Sequence, residues 1–237
     1  MMNPGVEVPR TASYEPCMVA IDTGTGPANV VLTYDDGPEP SGTNSILSAL
    51  AEKKATATFF VLLTRTRLHP SIVQEIVAQG HEIALHGLDH LPIDIMNGVE
   101  VFTRTLAAKN ELEQMIGREV RWYRPPYGRW TPETIGSVIR AGLTTVLWDV
   151  VLLDWLDQPD VNAYLENPRN IKSPGAIVLA HDNIASLIDG VDEAASLTFD
   201  RGELTRSLIE VFEEKGFTCC SLEQALKTGT PIWKAHG

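Results

Sequence analysis

Short apolar runs recur along this chain, and between them apolar residues return at helical spacing. The runs Val30–Leu32, Thr58–Leu63, Ile83–Leu85, Val120–Tyr123, Thr144–Trp148, Ala176–Leu179 and Phe217–Cys220 read as buried strands. The segment Thr43–Ala51 puts Ile46, Leu47 and Leu50 on one helix face. Ser71 opens a helix after Pro70, with Ile72, Val73, Ile76 and Val77 inward and Gly80 as its stop. Val99–Ile116 is the longest stripe and ends at Gly117. Thr131 caps a helix that starts with Pro132 and closes at Gly142, and Glu203–Lys215 forms the last, closed by Gly216. Strand and helix in alternation predict a parallel α/β architecture. The pattern does not separate a barrel from an open doubly wound sheet.

The polar residues that interrupt this pattern cluster at strand ends. Tyr34-Asp35-Asp36-Gly37-Pro38 follows Val30–Leu32, and Gly37 and Pro38 stop the strand. Side chains alternate along a strand, so two adjacent Asp residues there point apart and suit separate jobs, one for a metal and one for a proton. His86 and His90, four residues apart after Ile83–Leu85, can reach one metal. With one Asp of the first motif they make the three-ligand set of a catalytic zinc, which keeps a position for water. Arg124-Pro125-Pro126-Tyr127-Gly128 is a rigid turn that carries a cation near a developing oxyanion. His181 ends the apolar run Ile177–Ala180 and can carry a proton. Candidate catalytic residues at the C-terminal ends of strands match the way α/β barrels place their sites.

These segments, in this order, resemble the five motifs of the polysaccharide deacetylases, the NodB-like enzymes of carbohydrate esterase family four. The motifs are Thr33–Pro38, His86–His90, Arg124–Gly128, Asp154-Trp155 and Leu179–His181. The resemblance runs from about Asn29 to about Lys227 and includes Ala57–Val61, Gly80–Ile83, Gly216-Phe217 and Ser221-Leu222. It implies a distorted (β/α) barrel of about seven strands, with residues 29–237 as one catalytic domain and 1–28 as a weakly patterned extension. It implies Asp35 as catalytic base, Asp36, His86 and His90 as metal ligands, and Arg124 as partner of the base. Tyr127 would hold the oxyanion through its backbone N–H, and Leu179 would line the acetyl-methyl pocket. His181 would be the acid, Asp154 would orient it, and Trp155 would be its aromatic neighbour. The implied cofactor is Zn2+, with Co2+ or another divalent ion as alternatives. The implied reaction is removal of N-acetyl groups from a sugar. Alternatives on the same fold are an acetyl-xylan-type esterase, a cyclic amide or imide hydrolase, and a metal-dependent carbohydrate-binding protein without turnover. Two positions depart from the family pattern. Gly87 stands where a Ser or Thr usually follows the first metal histidine, and Val151 occupies the earlier acid position of Asp-x-x-Asp-Trp.

Composition narrows the partners. The net charge of -12 argues against a nucleic-acid surface and against anionic polymers, and favours an N-acetylated carbohydrate or a small acylated substrate. No apolar run is long enough to span a membrane, and Met1–Pro16 lacks the apolar segment of a secretory leader, so a cytoplasmic location is expected. Cys17, Cys219 and Cys220 do not form a disulfide framework, and the last two read as packing residues. His69, His81 and His236 read as surface or loop histidines, and Trp148 as core. Trp130 and Trp155 read as cleft residues, and Asp189–Glu193 as a solvated acidic loop.

Overall fold

The computed structural model describes residues 17–192 and 199–234. Its strands are β1 (Cys17–Asp22), β2 (Asn29–Asp35), β3 (Thr58–Leu62), β4 (Glu82–Gly87), β5 (Trp122–Tyr123), β6 (Thr144–Thr145), β7 (Val150–Val151), β8 (Ile177–His181), β9 (Thr218–Cys220) and β10 (Thr230–Lys234). The helices are α1 (Gly42–Lys53), α2 (Leu63–Leu68), α3 (Pro70–Ala78), α4 (Gly98–Ile116), α5 (Pro132–Arg140), α6 (Val161–Tyr164), α7 (Glu166–Asn170), α8 (Arg201–Glu213) and α9 (Leu222–Ala225). The main sheet runs β6-β5-β4-β3-β2-β8-β7, all parallel, and β9 pairs with the start of β2. This curled seven-strand sheet is the incomplete barrel implied by the motifs, and all seven apolar runs contribute strands to it or to β9.

The core has two faces because the strands have period two. Val30, Leu32 and Tyr34 of β2 join Phe59, Val61, Ile83, Leu85 and Val178 beneath the helices. Val31 points the other way and meets Phe60, Ala84, Trp122, Val146, Ile177 and Cys220 inside the curl. Both faces are apolar, so the strands read as continuous runs rather than alternating ones.

Helix ends follow the local chemistry. Asn97 caps α4 by accepting from the Glu100 N–H at 3.0 Å, and Gly117 ends it at φ +70°. Thr131 and Thr134 form the box that opens α5. Asp200 caps α8 by accepting from the Gly202 and Glu203 N–H groups. The four helices absent from the sequence reading, α2, α6, α7 and α9, are all of six residues or fewer, too short to show a repeating stripe.

One expectation about the N-terminal stretch changes. Residues 17–22, read as part of a weakly patterned extension, form β1. It pairs antiparallel with β10 and lies between the two edges of the curl. Met18 O accepts from Leu147 N at 2.8 Å, and Ile21 N donates to Gly175 O at 2.8 Å. Cys17 and Met18 are fully buried, and Ile21 nearly so. A second change concerns His81, which is buried rather than exposed. Its Nδ1 accepts from Ala57 N at 3.3 Å, its ring stands edge-on to Phe59, and burial pushes its pKa down to about 4.

Candidate active site

The inner face of the curl turns polar at the strand ends, and there the site is built. Val31 is followed on that face by Thr33 and Asp35, Ala84 by His86, Trp122 by Arg124, and Ile177 by Leu179 and His181. Period two therefore brings Asp35, His86, Arg124 and His181 to one place. Arg124 is fully buried. Its Nη1 donates to Asp35 Oδ1 at 2.8 Å and to Thr33 Oγ1 at 2.7 Å. Nε and Nη2 donate to the carbonyls of Val146 and Leu147, and the guanidinium lies 4.0 Å over the Phe60 ring. Every part of this side chain is engaged, which fixes Asp35 and makes a buried charge tolerable.

Asp36 breaks the alternation. The expectation that the two Asp side chains point apart does not hold, because Asp36 sits at φ +75° and turns back toward the cleft. Its Oδ1 lies 3.3 Å from His86 Nε2 and 3.3 Å from His90 Nε2, while Asp35 Oδ2 lies 3.8 Å from His86 Nε2. Burial opposes the Asp36 charge, but the close approach of His86 and the nearby His90 and His181 outweigh it and hold this carboxyl well below the usual range. The ligand atoms of Asp36, His86 and His90 all lie within 4.8 Å of one another. Asp36 Oδ1 is buried with no hydrogen-bond partner among the described residues. An orphaned carboxylate oxygen facing two imidazole nitrogens fits a divalent cation. Arg124 O stands 2.8 Å from His86 Nδ1; a proton on Nδ1 bonds that carbonyl and leaves the Nε2 lone pair facing the cleft. Burial pushes His90 down to about 4, so its ring stands neutral. The Ala185 N–H donates to Asp36 Oδ2 at 3.1 Å and steadies that carboxylate.

His181 stands across the cleft from this cluster. Its Nδ1 is 2.7 Å from Asp154 Oδ1, and its backbone N–H donates to Asp154 Oδ2 at 2.8 Å. Burial lowers the imidazole, but the Asp154 charge and hydrogen bond, with Asp36 and Asp35 behind them, raise it to about 9. Burial likewise raises Asp154, and His181 and Arg201 outweigh it in the other direction. Trp155 sets its ring edge-on to His181 at 5.2 Å. Tyr127 stands edge-on to His90 at 4.3 Å and occupies φ +59°. Asp36, Tyr127 and Leu153, the residue before Asp154, are three of the four non-glycine residues with positive φ among those described. Backbone strain thus concentrates at the cleft. The cleft encloses about 380 Å³ and is walled by Trp148, Trp155, Leu179, Ile184, Ala185 and Val191 around the polar groups.

A family model described as polysaccharide deacetylase matches residues 22–146, more than half of the chain. The chain belongs to the polysaccharide deacetylase family. It is 33% identical over 207 residues to a chitooligosaccharide deacetylase of Sinorhizobium fredii (strain NBRC 101917 / NGR234), covering 85% of this chain and 94% of that one. It resembles a solved T48 deacetylase with substrate at 28% identity and a TM-score of 0.72, covering 91% of this chain and 98% of that one. It also resembles BA3943 of Bacillus anthracis, a family four pseudoenzyme, at 21% identity and a TM-score of 0.74, covering 86% and 67%. That last likeness shows the fold alone. A pseudoenzyme among the neighbours makes the side chains, rather than the fold, the guide to activity.

Both departures from the polysaccharide deacetylase pattern have a structural reading. Gly87 sits at φ +148°, and a Cβ there would stand 2.6 Å from Asp89 O, so the loop requires glycine. The loop is braced otherwise. Arg104 Nη2 donates to both Asp89 oxygens at 2.6 Å, Thr64 N donates to Leu88 O, and His90 N donates to Asp189 O. Val151 lies in β7 beside Leu179 and contributes only its carbonyl, which accepts from Asn167. Arg201 braces the His181–Asp154 pair in its place. Arg201 Nη1 donates to His181 O at 2.6 Å and to Asp154 Oδ2 at 3.1 Å. Sequence reasoning missed Arg201, whose only signal was its place just after the Asp200 cap.

Three further expectations need correction. Trp148 is half-buried and walls the cleft rather than filling the core, with Gly128 so close that a Cβ would meet its ring at 2.7 Å. Trp130 is not among the cleft residues and packs instead near Leu147. Asp189 is fully buried and paired with Arg65, so Asp189–Asp192 is not simply a solvated loop. Glu193 and His236 lie outside the described residues. No described helix is long and apolar enough to cross a membrane.

Proposed function

We propose that the protein is a zinc-dependent N-deacetylase acting on N-acetylglucosamine-containing oligosaccharides. One observation carries the reading: a buried Asp–Arg pair, an Asp-His-His cluster and a His–Asp pair converge on one cleft. Similarity to a protein named chitooligosaccharide deacetylase supports the substrate class. Two imidazoles and a carboxylate are the donor set of a hydrolytic zinc site, and a cation held there supplies Lewis-acid polarisation of the acyl oxygen and of water.

The chain's own residues handle the protons. Asp35, held by Arg124, accepts the proton of the attacking water. The Tyr127 backbone N–H bonds the acyl oxygen as negative charge grows there. His181, held protonated beside Asp154, gives its proton to the leaving nitrogen as the C–N bond breaks. An amine leaves poorly without that proton, so an amide depends on His181 more than an ester does. The walls Leu179, Trp148 and Trp155 keep water from the acyl methyl.

Acetate release from N-acetylglucosamine oligomers, with and without chelator and added zinc, tests the reading. Chelator-sensitive acetate from these oligomers is expected, and Asp35→Asn should keep its metal and lose turnover. Acetate from acetylated xylan alone would make the enzyme an esterase. Turnover that survives Asp35→Asn with metal bound would overturn the assignment of the base.

A further inference from the structure

We propose that Arg65 is a positioning residue for the metal cluster, acting through the loop that follows His181. The inference rests on reading Asp36, His86 and His90 as metal ligands. That loop meets the cluster twice through its backbone. The Ala185 N–H donates to Asp36 Oδ2 at 3.1 Å, and the Asp189 carbonyl accepts from the His90 N–H at 2.9 Å. It also walls the cleft through Ile184 and Ala185. Two ligands therefore depend on where the backbone between 185 and 189 sits.

Arg65 fixes that backbone. It projects from α2, directly after β3, and is itself buried. Its Nε donates to both Asp189 oxygens at 2.9 and 3.1 Å, and Nη2 donates to Asp189 Oδ2 at 2.6 Å and Ser186 Oγ at 2.7 Å. The remaining Asp189 lone pairs accept from Thr64 Oγ1 and the Ser186 N–H. A guanidinium clamps a fully buried carboxylate in fork geometry, and a lysine cannot reproduce it. The other end of the loop is held by a second arginine, Arg201, whose Nη1 donates to the His181 carbonyl. The loop is thus suspended between two arginines, one serving the acid and one serving the cation. Neither Asp189 nor Arg65 touches the cation or the substrate. The carboxylate holds the peptide, and the peptide holds His90.

The test compares Arg65→Lys and Asp189→Asn with the parent chain, reading zinc affinity by chelator competition and the visible spectrum of the cobalt-loaded protein. Groups that orient metal ligands typically contribute about 10- to 100-fold in affinity, and a loss of that size with an altered cobalt spectrum is expected for both variants. Glu82→Gln is the control. Glu82 is another buried acid, at the opposite end of β4, bonded to Thr58 and Trp122, and its loss should lower the melting temperature without moving metal affinity. Should Arg65→Lys fail to fold, Asp189→Asn alone carries the test, since it keeps the shape of the acid. Folded variants that bind zinc within twofold of the parent, with an unchanged cobalt spectrum, overturn the role of Arg65. A parent chain that takes up neither zinc nor cobalt overturns the metal reading, and this inference falls with it.

Discussion

Asp154→Asn separates the charge on His181 from its position. The amide oxygen can still accept from the His181 backbone N–H, which turns its NH2 toward Nδ1, so the segment stays held while the imidazolium loses its acceptor. What disappears is the negative charge that most raises the imidazole. Arg201 keeps its bond to the His181 carbonyl and now adds an uncompensated positive charge nearby. With its pKa raised to about 9, the imidazole is roughly nine-tenths protonated at pH 8. If its pKa falls to the ordinary histidine value of about 6.5, the protonated share at pH 8 drops to about 3%. The expected loss at pH 8 is therefore about 30-fold, or about 2 kcal/mol of barrier, shrinking to less than about twofold near pH 6. The assay is kcat/KM for an N-acetylglucosamine oligomer from pH 5.5 to 10. A bound cation offsets the Asp35 and Asp36 contributions in both proteins, so the difference between their alkaline limbs is the quantity to read. An alkaline limb that stays within half a unit of the parent's would refute the argument that Asp154 sets the charge of the acid.

Two more outcomes follow from the same geometry. Gly87→Ser installs the residue usual in the family, yet at φ +148° with a Cβ 2.6 Å from Asp89 O it should cost about 1–3 kcal/mol by denaturant unfolding and weaken zinc binding; equal stability would contradict the close approach. Asp182 is buried, accepts from Thr43 Oγ1 at 2.6 Å, and is raised by burial to about 7. As pH rises through 4 the unfolded chain releases this proton first, so stability should fall by about 4 kcal/mol between about pH 3 and pH 8 and be flat above. Asp182→Asn should remove that share of the slope, and an unchanged slope would place the ionisation elsewhere.

Much of the site was legible in the sequence because strand periodicity and the chemistry coincide. Asp35, His86, Arg124 and His181 each extend an inward-facing series by one step, so apolar runs ending in polar residues pointed to them. The parts that were not legible lack either a local pattern or a local partner. β7 has two residues, and its apolar stretch Val150–Leu153 follows Thr144–Trp148 with only Asp149 between them, while β10 alternates exposed and half-buried positions around a proline, so neither stands out as a separate strand. β1 does carry an apolar run, Cys17–Ile21, but everything it pairs with lies far away in sequence. His81 looks like any loop histidine until Ala57 and Phe59 close over it. The inward turn of Asp36 is a backbone event that residue types do not announce. Arg65 and Asp189 are 124 positions apart, and only the assembled fold makes them a pair.

The ribbon of β1 and β10 has a practical consequence for anything attached to the chain. Cys17 lies opposite Lys234, so the described chain starts and stops side by side. That meeting point is not remote from the cleft, since Val19 and Lys234 share a depression with Gly128 and Trp148, and Trp148 also walls the cleft. A module joined directly at residue 17 or 234 therefore hangs beside the cleft. Long oligomers should feel such an attachment as a raised KM while a disaccharide does not, and a short peptide joining residues 17 and 234 would bridge neighbouring strand ends, so new termini can be opened in a loop on the far side.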